Sequence, residues 1–569
     1  MLQNKSSGWT HAAARVLSND WFAALLFLAA YLCTNSYIFG WDDQHLEIPL
    51  LKHLIDPSLY KGDYYVQGLT GNFSSYLYPI LAHTVKIGQI PAVYLILFLV
   101  SRYIMFYWVY RLWQLLSGDK FSAAMAVLMF FLMGRTEEFL YRTFSHQEFS
   151  YIFMFGGFYY FYRERFLLAA ALFGLGANFH AIYCLFPMLY MLVYLTTSRK
   201  WDGLLKTAVV FAVCASPFLL WQIPHSLAGH GPAVPISEWM PLYLISCQQN
   251  FLFWTLPLKD ALSNLGFVLI RLEPYLFLLA LYAILCVFEP RLRKDRKTHV
   301  IVGTAYFLIL VSFYFSYIHP SRFFLDLNLL RNEQFVRFML MGYTTILACR
   351  VAKEGRPWQV LIAAVFLFVV GCGSVPFLIL KAQKYSYVFI GLAFLFLALV
   401  LRPQALWLRR AFIILPLAAT FISFTFYHYQ YLQAKAQGPG LWQFHRNWVD
   451  MQNYVRTHTP KDALVLAPYD SETGGFRIFS ERKVLVCYRD CGIIGFDYKA
   501  AAEWNKRIKD IEQFRMMTDQ DLSEALKNAI FKYKVDYIVF MNYYQPVESV
   551  GFLKKMYQNE VLSLYEVRH

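Results

Sequence analysis

The sequence predicts a polytopic α-helical membrane protein of about thirteen spans with an extracytoplasmic α/β domain at its C-terminal end. Three observations predict this fold class. Of the 569 residues, 58% are hydrophobic and 19% aromatic, and the mean hydropathy is +0.38, which is too apolar for a soluble protein. Apolar runs of span length recur along the chain and stop after Tyr427. Basic residues cluster in alternate loops between those runs.

The first apolar run extends from Trp21 to Phe39. It is expected to remain as a membrane helix, because it is too long for a signal-peptide core and no small-residue cleavage site follows it. The apolar segment Tyr76–Ile87 has only about a dozen residues and is interpreted as an interfacial or re-entrant helix. The other predicted spans are 91–116, 121–134, 147–162, 166–178, 180–197, 204–222, 263–288, 299–318, 335–350, 358–379, 386–401 and 411–427.

The distribution of Lys and Arg predicts which loops face the cytoplasm. Every second loop carries a basic cluster, beginning with Arg111 and Lys120 and ending with Arg409 and Arg410. By the positive-inside rule these loops and the N-terminus are cytoplasmic, so the formal charge of +15 reflects topology and not nucleic-acid binding. The loops on the other face are Gly40–Ser75, Arg135–Glu148, 178–180, Trp221–Leu262, Tyr317–Gln334 and Lys381–Tyr385.

The stretch Phe39–Glu47, where the first span meets water, is the strongest functional signal. It places Asp42, Asp43 and Glu47, together with His45, directly at a membrane boundary. Acidic side chains near hydrocarbon are costly and tend to be kept for function. The alternative is an ordinary solvated loop.

The other extracytoplasmic loops contain most of the remaining unusual polar residues. One membrane face therefore carries charges of both signs, which a site for an anionic ligand and a general base requires. A set of salt-bridged loops without chemistry is the alternative. The residues concerned include Glu137, Glu138, Arg142, His146, Arg322 and Arg331.

The chain divides into a multi-span domain, 1–429, and a compact α/β domain, 430–569. Thirteen spans from a cytoplasmic start place the second domain outside the cytoplasm. Cys487 and Cys491, four residues apart in this domain, leave open a short-loop disulfide or two free thiols. Predicted strands are 463–467, 483–487, 537–540 and 562–567, and predicted helices are 441–457, 500–514 and 521–533.

This layout resembles the GT-C superfamily of integral-membrane glycosyltransferases. A first span leads into a large outside loop that opens with Trp41-Asp42-Asp43 and continues into interfacial helices, and many spans precede an extracytoplasmic α/β domain. The segment Val535–Phe540, followed by Leu564–Val567, is similar to the ending of bacterial members of this type. The resemblance implies an enzyme of the bacterial inner membrane.

The resemblance also implies roles for particular residues. In this superfamily an acidic residue of the first outside loop binds or deprotonates the acceptor, which assigns catalysis to Asp42 and Asp43. Asp42 is slightly favoured as the base, because it comes first after the span and matches the leading acidic position of the superfamily, but the sequence does not order the two. A second acidic position in a later outside loop falls on Glu137 or Glu138. The donor is usually a sugar carried on a polyprenyl phosphate.

The residues fit this chemistry on physical grounds as well. A lipid-phosphate donor brings its own leaving group, so the protein has to hold phosphate with cations and supply a carboxylate for the acceptor's proton. Arg suits phosphate because it binds bidentately. A single displacement inverts the anomeric configuration. Candidates for phosphate binding are Arg142, Arg322, Arg331 and Arg337, with His146, His180 and His319 as weaker ones.

The predicted function is sugar transfer from a polyprenyl-phosphate donor to an envelope lipid, glycan or protein acceptor on the extracytoplasmic face. Membrane lipids are the expected surroundings, and nucleic acid is not an expected partner. No cofactor is expected, and a divalent metal is not indicated, because the sequence has no metal-ligand spacing and no dinucleotide fingerprint. Alternatives are a transporter or flippase for lipid-linked substrates, a polysaccharide polymerase or ligase, and a non-enzymatic assembly factor.

Overall fold

The computed structural model describes residues 19–133, 139–227, 234–255, 258–373, 407–415, 417–418, 441–468, 475–512, 527–542 and 551–568. Four predictions lie outside these residues. They concern the acidic residues Glu137 and Glu138, the outside loop Lys381–Tyr385, the apolar run 386–401, and the domain boundary near residue 429.

Helices make up most of the described chain, and the predicted apolar runs up to residue 373 all fall on them. The first eleven helices are α1 (Asp20–Asn35), α2 (Gln44–Ile55), α3 (Tyr64–Leu69), α4 (Leu77–Thr84), α5 (Ile90–Ser117), α6 (Lys120–Met133), α7 (His146–Tyr162), α8 (Phe166–Ala177), α9 (Ala181–Thr197), α10 (Trp201–Cys214) and α11 (Ser216–Leu227). Helix α4 corresponds to the short apolar segment that was expected to be interfacial or re-entrant.

The next eight helices complete the described membrane part. They are α12 (Ile236–Ser246), α13 (Leu258–Leu262), α14 (Leu265–Phe288), α15 (Pro290–Lys294), α16 (Arg296–Phe313), α17 (Arg322–Asp326), α18 (Asn332–Glu354) and α19 (Pro357–Gly373). Residues 407–415 are also helical.

Length and composition identify membrane-spanning candidates among these helices. Within the described residues, four segments are long and apolar enough to cross a membrane: Ile87–Ser117, Leu265–Phe288, Arg296–Ile318 and Arg322–Glu354. Shorter apolar helices accompany them, including α1, α8 and α9. The chain is a multi-pass membrane protein, and the count of thirteen spans stays a prediction.

The apolar run 204–222, expected to form one span, is instead two helices. Helices α10 and α11 meet at a bend of 75°. Pro217, near the start of α11, has no N–H to donate within a continuous helix, which explains why the helix breaks here. The side chain of Asn178 bonds to both sides of the break, since its amide donates to Cys214 O (2.9 Å) and its carbonyl accepts from Phe218 N (3.0 Å).

Helix α18 lies at the centre of the helical bundle and is buried along most of its length. Its Gly342 faces the fully buried Trp113 of α5, and a Cβ atom at Gly342 would lie 2.0 Å from the indole ring. Only glycine fits this approach, because side chains in a protein core are packed without spare volume. The contact fixes the spacing of α5 and α18.

The C-terminal part is an α/β layer, as predicted. Its helices are α20 (Leu441–His458), α21 (Arg477–Ser480) and α22 (Tyr498–Glu512), and its strands are β1 (Leu464–Leu466), β2 (Lys483–Val484), β3 (Tyr537–Met541), β4 (Leu553–Gln558) and β5 (Leu562–Val567). In the described residues the strand order is β2-β1-β3-β5-β4, with parallel pairing of β1 to β2 and β3 and antiparallel pairing around β5. Strand β4 was not predicted, because its sequence is mostly polar and exposed.

The predicted strand 483–487 is shorter than expected, since β2 ends at Val484. The two cysteines that follow, Cys487 and Cys491, are free thiols and form no disulfide. Their segment instead turns into a 3₁₀ helix at Tyr488–Gly495. The Cys491 thiol donates a hydrogen bond to Ser246 O at 3.5 Å and so contacts the membrane part of the chain.

Candidate active site

Residues 40–75, here called the first loop, begin against the segment that leads into α7. Ile38 N donates to Arg142 O at 3.1 Å. The buried Gln44 side chain donates to Phe144 O at 2.9 Å and accepts from Gly40 N at 2.6 Å. These bonds place the start of α2 directly beside the start of α7.

Asp42 and Asp43 have different surroundings although they are adjacent. Asp42 has a left-handed backbone (φ 48°), and its Oδ1 lies 3.5 Å from Nη2 of Arg489 in the C-terminal domain. The ring of His45 contacts the Asp42 carbonyl oxygen at 2.5 Å. Asp43 is the N-cap residue of α2, yet its side chain makes no capping hydrogen bond. Its backbone is helical (φ −65°, ψ −12°) and not extended as at a usual N-cap, which accounts for the missing bond, and the side chain is half-buried.

Glu47 lies one helical turn beyond Asp43 on α2. It is only 1% exposed, and its Oε1 is 2.7 Å from Nδ1 of His146, the first residue of α7. The Tyr78 hydroxyl lies 3.1 Å from the same nitrogen. Burial raises the pKa of Glu47, the nearby His146 lowers it in part, and the charge of Asp43 raises it further.

His180, in the turn before α9, continues this arrangement. Its ring stacks on that of His146 with centroids 4.9 Å apart. Burial, followed by the positive charges of His146 and Arg331, lowers the pKa of His180 well below its usual value. The Arg331 guanidinium lies 5.8 Å from the ring centroid of Tyr183, which itself is 4.9 Å from the His180 ring. We call Asp43, Glu47, His146 and His180 the acid–histidine cluster.

The other predicted phosphate-binding residues are placed differently. Arg142 is half-buried in the segment that holds the first loop. Arg322 donates to Ile494 O of the C-terminal domain at 2.9 Å and pairs with Asp326 at 3.4 Å. Arg337 is paired with Glu333 one turn away on α18, and His319 is exposed.

The C-terminal domain is anchored to the first loop by buried charges. Arg477 lies 2.8 Å from Asp63 Oδ2 and 2.9 Å from Asp490 Oδ1, with all three side chains at most 2% exposed. Lys52 of α2 adds an ion pair with Glu481 at 2.6 Å. A buried charge is tolerated only when it is paired and hydrogen-bonded, so these contacts define one orientation of the domain on the loop.

Two groups of site residues were missed by the sequence analysis. Glu47 was seen as a loop carboxylate but not as the partner of His146, although its spacing of four from Asp43 places both on one helix face. Arg477 and Arg489 had no local signal, because their partners in the first loop, Asp63 and Asp42, lie more than 400 residues away along the chain.

Comparison with known proteins finds a matching family model and similar solved structures. A family model described as a domain of unknown function (DUF6798) matches residues 446–511, which include Arg477 and Arg489. Among solved structures, the chain is similar to ArnT from Cupriavidus metallidurans in the apo state, with 12% identity, a TM-score of 0.46 and coverage of 98% of each chain. No curated protein matches the sequence.

Proposed function

We propose that this chain is a membrane glycosyltransferase of the GT-C type. It moves a sugar from a polyprenyl-phosphate donor to an envelope lipid, glycan or protein acceptor on the extracytoplasmic face, with inversion at the anomeric carbon. The observation that carries the proposal is the acid–histidine cluster, in which Glu47 meets His146 and His146 stacks on His180, with the charges of Asp43 and Arg331 acting on these buried groups.

The cluster supplies the two functions that such a transfer needs. Asp43 takes the proton of the acceptor hydroxyl while the acceptor oxygen bonds to the anomeric carbon. The bond from that carbon to the donor's phosphate oxygen breaks, and the phosphate leaves as an anion. His146 and Arg331 stabilise the charge that develops on the leaving phosphate. Because no enzyme carboxylate attacks first, the configuration inverts.

Glu47 orients the phosphate-binding histidine in this mechanism. Its carboxylate holds Nδ1 of His146 at 2.7 Å, which fixes the tautomer and turns Nε2 toward a ligand.

Within this proposal Asp43 is the base, although Asp42 comes first after the span. Asp42 is within ion-pair distance of Arg489, whereas the charge of Asp43 acts on the buried Glu47 of the acid–histidine cluster. The helical backbone of Asp43 keeps its side chain from capping α2, so the carboxylate is not used by its own helix terminus. Asp42 then serves mainly to shape the loop.

The test is Asp43→Asn in the full-length protein reconstituted in lipid nanodiscs, with a panel of polyprenyl-phosphate sugars and mass spectrometry of the products. Asn keeps the size of the side chain and cannot accept a proton at neutral pH. The rate is expected to fall by about two to four orders of magnitude. Asp42→Asn is expected to have a smaller effect.

Asp56→Asn is the matched control. It removes a carboxylate of the same loop whose partner, Lys461, is exposed at the surface, and such pairs contribute little. Its transfer rate is expected to equal that of the wild type. If Asp42→Asn, Asp43→Asn and the double variant all transfer sugar at the wild-type rate, the glycosyltransferase mechanism is wrong and a transporter becomes the better interpretation.

A further inference from the structure

One cation of the C-terminal domain reaches the acidic pair of the first loop. Arg489 Nη2 lies 3.5 Å from Asp42 Oδ1, and the two side chains are 31% and 25% exposed. This pair differs from the buried Arg477 contacts, because it faces an open side of the molecule.

The backbone that carries Arg489 is fixed relative to the first loop. Its neighbour Asp490 is fully buried and accepts two hydrogen bonds from Arg477, at 2.9 and 3.0 Å. The hydroxyl of Tyr64, a first-loop residue, donates to Asp490 at 2.8 Å. Arg489 is thus held against the loop by bonds to the residue that follows it.

Contacts on two sides accompany the conformation of Asp42. A left-handed backbone is uncommon for residues other than glycine, although Asp adopts it more readily than most. The His45 ring holds the carbonyl of Asp42, and Arg489 holds its carboxylate. The peptide that follows Asp42 sets the direction of the Asp43 side chain.

We infer that Arg489 is a positioning residue of the proposed transferase. It holds Asp42, and through the shared peptide it orients the Asp43 carboxylate toward the acceptor. The inference rests on the proposed function and gives the DUF6798-matched segment a role, which is to complete an active site whose base lies in the membrane part of the chain.

The expected kinetic effect follows from geometry. A displacement of a catalytic group by about 1 Å costs up to about 100-fold in rate while substrate binding is largely kept. Arg489→Gln is therefore expected to lower kcat by about 10- to 100-fold and to leave KM within about twofold. Arg489→Lys keeps the positive charge and is expected to recover kcat at least in part.

A second readout does not depend on turnover. Hydrogen exchange of residues 40–47 reports how firmly the turn at Asp42 is held, since His45 N donates to Asp42 O at 3.2 Å. Loss of a half-exposed ion pair is expected to speed exchange there roughly two- to fivefold in Arg489→Gln. Arg446→Gln, an exposed arginine of the same domain, is the control and is expected to behave as the wild type.

The experiment uses the full chain in nanodiscs, with the polyprenyl-phosphate sugar that gives the highest wild-type turnover. Unchanged exchange and kcat in Arg489→Gln, with Asp43→Asn inactive, would overturn the inference and leave the proposed function standing. A raised KM with unchanged kcat would also overturn it, because Arg489 would then bind substrate. Full activity of the Asp42 and Asp43 variants would instead remove the proposed function itself.

Discussion

At the scale of single residues, the structure separates groups that look equivalent in the sequence. The three carboxylates at the start of the first loop have three environments: Asp42 meets an arginine, Asp43 is half-buried at the start of α2, and Glu47 is buried against a histidine. Burial raises the pKa of Glu47. Roles within the loop can therefore be assigned only after the neighbouring elements are in place.

His45 provides a prediction at this scale. It is 4% exposed, its Nδ1 meets the Asp42 carbonyl, and its Nε2 is buried without a hydrogen-bond partner among the described residues. Burial, followed by the charge of Arg489, lowers its pKa from the ordinary 6.5. The folded state then binds fewer protons than the unfolded state, so stability is lost as the pH falls below about 6.5, by up to about 1.4 kcal/mol per pH unit.

Replacing the His45 imidazole is expected to remove this loss of stability at low pH. His45→Gln is expected to lose less thermal stability than the wild type between pH 7 and pH 5, as measured by the midpoint of thermal unfolding in detergent. Equal losses in the two proteins would contradict the assignment of this acid sensitivity to His45.

At the scale of elements, the break between α10 and α11 shows how one side chain replaces helix bonds. Asn178 donates to Cys214 O and its carbonyl accepts from Phe218 N, so its amide satisfies a free carbonyl and a free N–H at the 75° bend. In an apolar environment each unsatisfied backbone group is costly. Asn178 also lies only two residues before His180, so the residue that supports the bend is close in sequence to the acid–histidine cluster.

Asn178→Ala should therefore destabilise the protein. It leaves two buried backbone groups without partners, at an expected cost of about 1–3 kcal/mol each, measured by thermal unfolding. Tyr76→Phe is the graded comparison, because it removes one exposed hydrogen bond to Pro217 O at the same bend. A loss in Asn178→Ala no greater than that in Tyr76→Phe would show that Asn178 does not support the break.

At the scale of the whole molecule, the C-terminal domain is tied to the membrane part by contacts of different kinds. Arg477 is buried between Asp63 and Asp490, whereas Lys461 pairs with Asp56 at the surface. Breaking a buried pair leaves an uncompensated charge, while a surface pair is screened by water. The buried contact thus controls how the domain sits over the first loop.

Two matched substitutions test this difference. Arg477→Met is expected to cost about 3–5 kcal/mol and to make the C-terminal domain more sensitive to limited proteolysis. Lys461→Met is expected to cost less than about 1 kcal/mol and to leave proteolysis unchanged. Similar proteolysis of the two variants would contradict the role given to Arg477.

The orientation of the whole chain is also open to test. Alternate basic clusters and an odd number of predicted spans predict that residues 430–569 lie outside the cytoplasm. A reporter that is active only in the cytoplasm, fused after His569, is expected to stay inactive, while a fusion at the predicted cytoplasmic cluster near Lys294 is expected to be active. Activity of the C-terminal fusion would reverse the predicted topology and with it the proposed location of the site.

The sequence by itself determined the elements of this protein. Apolar runs located the long helices of the membrane part, and apolar periodicity located α20, α22 and four of the five described strands of the α/β domain, whereas short helices such as α21 were not predicted. It also pointed to the first loop, because carboxylates at a membrane boundary are costly. These signals are local, since periodicity and composition act over a few turns of chain.

Only the tertiary structure decided which residues meet. The pairing of Glu47 with His146 spans 99 residues, and the contacts of Arg477 and Arg489 with the first loop span more than 400. No local pattern encodes such pairs, because they result from the packing of separate elements. The break at Pro217 likewise escaped hydropathy, which reports how apolar a segment is and not whether its backbone hydrogen bonds can continue.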